Sequence, residues 1–244
     1  MDTETLIYIG TVFIIAGFVK GFSGLGFSAI SIGILATFLD LAVAIPLVVI
    51  PSFASSVLVM IEAGGFTSAL RKFWPLYIAA LPGLAIGIWL LIRPEANIAK
   101  SVLGGLLLLY AAWGLLNPTL ALPPRLRTAL QGPVGFLTGF FSGLTGVAVM
   151  PVSPYLLSLN LTPNVFVQAL NISFIISSSV LMLSLGGLGY IGSQSLLLSL
   201  GAIIPVALAV KYGNFLRRHV SEKHFRIGVL FVMLLLGLNL VTFT

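Results

Sequence analysis

The chain has 244 residues, of which 59% are hydrophobic and 7% charged, with a mean hydropathy of +1.16. A soluble domain would carry about 25% charged residues, so composition excludes a soluble enzyme or binding module and indicates a polytopic membrane protein. The net charge of +6 with no cysteine is therefore a matter of loops rather than of nucleic acid, and it leaves no disulfide or thiolate metal site.

The opening Met1-Asp2-Thr3-Glu4 lacks the basic region of a secretory signal, so Leu6 onward reads as part of the mature fold. The first apolar segment, about 6–39, is too long for one crossing, because about 34 residues at ~1.5 Å each would run about 50 Å. The motif Gly17 to Phe27, GFVKGFSGLGF, cuts it near its middle. Clear spans follow at about 42–60, 74–92 and 98–116, each near the length of about 20 residues that one crossing needs. A second over-long segment, about 129–159, is interrupted by Gly135 to Val147, GFLTGFFSGLTGV, and further spans lie at about 165–185, 193–212 and 227–241.

The chain thus says nearly the same thing twice. Pro51-Ser52-Phe53-Ala54-Ser55-Ser56-Val57 answers Asn171-Ile172-Ser173-Phe174 with Ser177 to Val180, and Glu95 to Lys100 answers Glu222 to Arg226. The expected organisation is repeat 1 over 1–120 and repeat 2 over 121–244. Two copies of a membrane unit, each with a broken helix at the same place, point to a transporter binding site.

Halves of about 15 residues would reach only about 22 Å, so each broken segment is either a hairpin that enters and leaves on one face or a kinked single crossing. Basic residues favour hairpins. With hairpins, one face carries Arg71, Lys72, Arg125, Arg127, Lys211, Arg217, Arg218, Lys223 and Arg226, and the other only Arg93 and Lys100. The positive-inside rule then places the basic loops in the cytoplasm, both termini outside, and the second repeat inverted relative to the first. The predicted fold is an all-α polytopic membrane protein of two inverted repeats, each a re-entrant or broken helical hairpin plus three transmembrane helices.

The kinks suit anions. A helix that restarts inside the membrane exposes unpaired N–H groups, and glycine lets a ligand approach them. Exposed backbone at that depth must face protein or a water-filled cavity, so the two tips should face each other. Candidate binding residues are Ser23, Gly24 and Gly26 at one tip and Ser142, Gly143, Thr145 and Gly146 at the other. The competing role for the glycines is close helix packing. Lys20 is placed in the first break, with Thr138 as its repeat mate. An ammonium at bilayer depth costs about 2.5–3.5 kcal/mol and is functional by default, unless it snorkels to an interface. Gln168, Asn171 and Ser173 share one apolar span, with Ser52 in the corresponding place of the first copy; amides orient anions or bond between helices. Asp40 and Glu62 lie near span ends and are the acids positioned to carry a proton, with a plain interfacial role as the favoured alternative. His219 and His224 lack neighbouring carboxylates beyond Glu222 and make no metal site.

The paired glycine motifs, the run Met150 to Leu156 followed by Phe166-Val167-Gln168-Ala169-Leu170-Asn171-Ile172-Ser173-Phe174, and Phe225-Arg226 before the last span resemble the TauE/SafE family of sulfite and organosulfur anion exporters. The likeness covers essentially the whole chain. It implies a secondary transporter of the cell (inner) membrane that exports sulfite, sulfoacetate or a related organosulfonate or carboxylate. The expected partners are a small anionic substrate, the lipid bilayer, and a proton or other coupling ion; no cofactor and no nucleic acid are expected, and the oligomeric state is left open. The alternatives are an anion channel of the same fold or a non-catalytic structural membrane protein. An enzyme would need an intramembrane nucleophile and base, and no span offers a cysteine or histidine.

Overall fold

A computed structural model describes residues 3–93, 97–116, 122–217 and 222–242, and among these the chain is all helix with no strand. Glu95, Arg218 and His219 fall outside the described residues, as do the side chains of Glu222, Lys223, His224 and Arg226. The helices are α1 (Thr3–Ser23), α2 (Phe27–Leu35), α3 (Leu41–Ala63), α4 (Phe66–Leu91), α5 (Asn97–Leu116), α6 (Pro124–Ala129), α7 (Gln131–Thr145), α8 (Val152–Leu157), α9 (Pro163–Gly187), α10 (Ser193–Gly201), α11 (Ile203–Leu216) and α12 (Glu222–Thr242).

Both over-long segments turn back on themselves. After α1 the chain reverses through Gly24 and Gly26, which have φ of +78° and +97°, a region open to glycine at little cost. It then returns alongside α1, so that the Phe38 ring meets Tyr8, near the start of α1, at 4.9 Å between centroids. The second segment reverses after Gly146, at φ +74°. There the Tyr155 hydroxyl donates to the Arg127 carbonyl, and the Leu122 N–H donates to the Ser158 carbonyl at 3.2 Å, so the end of α8 lies beside α6, which leads into α7.

The halves are less equal than the sequence suggests. α1 has 21 residues and reaches about 31 Å at ~1.5 Å per residue, whereas α2 has 9. α7 and α8 have 15 and 6. Lys20 accordingly stands in the last turn of α1, before the break and not in it.

Proline shapes the other spans. α4 starts at Phe66, earlier than expected, and bends at Phe73 (φ −116°, ψ 18°) just before Pro75; a proline ring crowds the carbonyl four residues back. The span expected over 193–212 is divided at Ala202, ahead of Pro205, into α10 and α11. In α3, Pro51 cannot donate to the Leu47 carbonyl. The Ser199 hydroxyl of α10 lies 3.0 Å from that carbonyl and 2.7 Å from the Ser195 carbonyl of its own helix, so its proton is shared between them, and α3 runs on through Pro51.

Helices pair across the two halves of the sequence: α1 with α11, α4 with α7, α3 with α9, and α5 with α12. Glycine makes these approaches close. A Cβ on Gly21 would strike the backbone of Val210, one on Gly213 that of Phe18, one on Gly143 that of Leu84, and one on Gly87 that of Phe140. The contacts correspond in register. From 21 to 143 and from 18 to 140 is a step of 122 in both cases, while from 84 to 210 and from 87 to 213 is a step of 126 in both. The same step of 122 takes Val167, against which Gly24 packs, back to Ile45, against which Gly146 packs. It also relates Ser31 to Ser153, two buried serines whose hydroxyls have no partner among the described residues. The contacts therefore equate Lys20 with Ser142, one helical turn from the Thr138 suggested by the sequence motif.

Candidate functional site

The core of the molecule is the crossing of α3 and α9, flanked by the two hairpins. Lys20 is 1% exposed. Its Nζ donates to Ser56 Oγ at 2.6 Å and lies 5.3 Å from the centre of the Phe174 ring, a cation–π contact. The Ser56 hydroxyl donates to the Ser52 carbonyl, so its oxygen is oriented to accept from the lysine. Ser52 Oγ is bonded to Ser28 Oγ at 2.7 Å and, at 3.5 Å, receives Ser178 Oγ from α9. A lysine, four serines and an aromatic ring from α1, α2, α3 and α9 thus form one buried polar cluster. Among the described residues no carboxylate pairs with Lys20; the ion pair present, Asp40 with Lys100 at 3.3 Å, lies at the ends of α3 and α5.

Around the first tip, Asn171 Nδ2 donates to the Gly24 carbonyl at 3.3 Å and to the Val167 carbonyl at 2.8 Å, while its Oδ1 has no partner. Gln168 is 1% exposed with neither amide atom partnered among the described residues. Ser173 is buried on the same helix. Ser142 is fully buried and its hydroxyl likewise has no partner among the described residues.

Other candidates hold the tips together. The Ser23 hydroxyl bonds the Val19 and Leu25 carbonyls, and Thr145 Oγ1 donates to the Phe141 carbonyl and accepts from the Val147 N–H. Each side chain thereby satisfies backbone groups left over where its helix stops. Gly26 faces Met233 and Val19. Gly143 is filled on its open side by the α4 backbone, as helix packing requires. Ser28 and Ser31 escaped the sequence analysis, although a gapless comparison at the 122-residue step would have aligned Ser31 with Ser153.

The two tips differ in access. Gly21 and Gly24 border an open vestibule of about 270 Å3, with Val59, Glu62, Asn164, Asn214 and Arg217 around it. Within it Asn214 Nδ2 donates to Glu62 Oε2 at 2.7 Å. Gly146 instead borders a void of only about 10 Å3, closed by Ile32, Ile45 and Leu181 and touching Ser28, Ser52 and Ser178. A separate cleft brings Lys72 and Arg127 together, and Arg217 shares the vestibule with the end of α3, so these three cations stand at one end of the helix bundle.

Over residues 9–240 the sequence matches the family described as Sulfite exporter TauE/SafE. The chain belongs to the TauE/SafE family. The match takes in both hairpins and every helix of the polar cluster, and among the described residues there are six helical stretches long and apolar enough to cross a membrane, five single helices and α10 with α11 taken together. This TauE/SafE protein is accordingly a multi-pass membrane transporter and not an enzyme. No curated protein and no solved structure matches it.

Proposed function

We propose that the protein exports a small sulfur-containing anion, such as sulfite, sulfoacetate or a related organosulfonate or carboxylate, across the cell (inner) membrane by alternating access. The anion is held at the α3–α9 crossing, between the two hairpin tips, by Lys20, Ser52, Ser56 and Ser142, with Gln168 and Asn171 supplying amide groups. The observation that carries this reading is a buried lysine without a carboxylate partner among the described residues, next in the chain to Gly21 of an open vestibule, while the counterpart tip at Gly146 borders only a small separate void. An intramembrane cation of this kind serves function by default, and a site reached from one side at a time is what alternating access needs.

The matched contacts, at steps of 122 and 126 residues, support two inverted repeats, 1–120 and 121–244. The gathering of Lys72, Arg127 and Arg217 at one end supports a cytoplasmic location for the open vestibule. Glu62, at the vestibule wall, is the acid placed to couple a proton.

The test is flux of radiolabelled sulfite, sulfoacetate and thiosulfate in proteoliposomes, with and without a pH gradient, for the parent and for Lys20→Met. Saturable flux in the parent and its loss in the variant are expected. Equal flux in both would remove Lys20 from the site, and unsaturable flux would favour a channel.

A further inference from the structure

We infer that the central site selects singly charged anions over doubly charged ones. This rests on the transport reading and narrows its cargo by charge: sulfoacetate, whose sulfonate and carboxylate are both ionised at neutral pH, drops out in favour of monoanions.

The two halves of the site correspond residue for residue but not charge for charge. The step of 122 carries Ser52 to Phe174, Ser56 to Ser178 and Lys20 to Ser142. On the α1 side the ammonium of Lys20 meets Ser56 and the face of Phe174. On the α7 side the equivalent position is a serine, fully buried, whose hydroxyl has no partner among the described residues. Among the described residues Lys20 is the one buried side chain that carries a formal charge. The core of the site therefore has a single positive charge set in hydroxyls, amides and an aromatic ring.

An ion moved out of water into such surroundings is tolerated only when its charge is balanced. One negative charge against Lys20 meets that condition. A second negative charge would have only neutral donors, Ser142 among them, to replace its hydration. A sulfonate, a carboxylate or the singly protonated form of sulfite fits; a dianion of similar size and shape does not.

Methanesulfonate and sulfate provide the comparison, being similar in shape but different in charge. Calorimetric titration of the purified parent protein is expected to show methanesulfonate bound at least tenfold more tightly, a difference of about 1.4 kcal/mol. Ser142→Lys adds the missing charge and is expected to turn the preference toward sulfate. Combining Lys20→Ser with Ser142→Lys moves the single charge to the other half and is expected to restore the preference for methanesulfonate. If the variants do not fold, the parent comparison decides alone. Sulfate binding as tightly as methanesulfonate to the parent, or a folded Ser142→Lys variant with unchanged preference, overturns the inference while leaving the transport reading intact. Absence of binding by either anion, together with absence of flux in proteoliposomes, overturns both.

Discussion

The two hairpin tips begin from nearly the same local sequence and end in different surroundings. Ser23-Gly24 and Thr145-Gly146 close their helices alike, with a hydroxyl turned back to a carbonyl four residues earlier and a glycine in the left-handed region. Beyond that the likeness stops. Gly24 looks past Val167 toward an open vestibule, whereas Gly146 is covered by Ile32 and Ile45. Val59 borders the open space, and Leu181, one step of 122 along, borders the closed one. Local chemistry builds the turn, then, and the packing of α2, α3 and α9 around it decides which side water reaches.

The most severe way to break the comparison is to fill a glycine. Gly143→Leu forces a side chain into the α4 backbone and should destabilise by about 3 kcal/mol, the upper end of overpacking, seen as loss of monodisperse protein on gel filtration. Gly24→Leu meets only a side chain and should cost about 1–2 kcal/mol, for the left-handed backbone. Gly132→Leu, with open space before it, should leave the melting temperature unchanged. Access should separate the tips next. The natural chain has no cysteine, so single Val59→Cys and Leu181→Cys variants need no further background changes. In the state described here a water-soluble thiol reagent should modify the first and spare the second; equal labelling would dissolve the contrast. Charge follows: Lys20→Met should weaken anion binding about tenfold, or 1.4 kcal/mol, with Arg recovering part of it because its planar fork differs from an ammonium. Ser142→Ala, on the other half, should weaken binding less, as titration can compare directly. Smallest is Ser52→Ala, which removes the bond to Ser28 and should lower stability by about 1 kcal/mol, read from thermal unfolding.

Much of this architecture was legible in the sequence. Length and apolarity located the spans, and the glycine motifs located both reversals, because only glycine tolerates the backbone found at Gly24, Gly26 and Gly146. The serines of α3 and α9 were visible as polar residues in apolar runs. The register was not. Gly135-Phe136 and Gly139-Phe140 offer the same pair twice, one helical turn apart, since a helix lying against another needs a small residue at each turn of contact. The motif could slide by that turn, and it paired Lys20 with Thr138. Contacts with α4 and α11 remove the ambiguity and put Ser142 opposite Lys20. Gly143 was similarly equivocal: a glycine near a break serves ligand approach or helix packing equally well until its neighbour is known, and the neighbour is the α4 backbone. The lengths of α1 and α2 were also hidden, because an apolar residue on either side of a turn reads the same.

The exchange of partners between the two halves also sets an order of assembly. α1 presents Gly17 and Gly21 to α11, which leaves the ribosome nearly the whole chain later, whereas α4 and α7 are synthesised close together. During translation the first hairpin must therefore reside in the bilayer with its small-residue groove unfilled until α11 is made. A nascent chain ending after α9 already possesses the α4–α7 pair but lacks the helix that packs on Gly17 and Gly21, so the docking of α11 against α1, with that of α12 against α5, belongs to the closing steps of assembly.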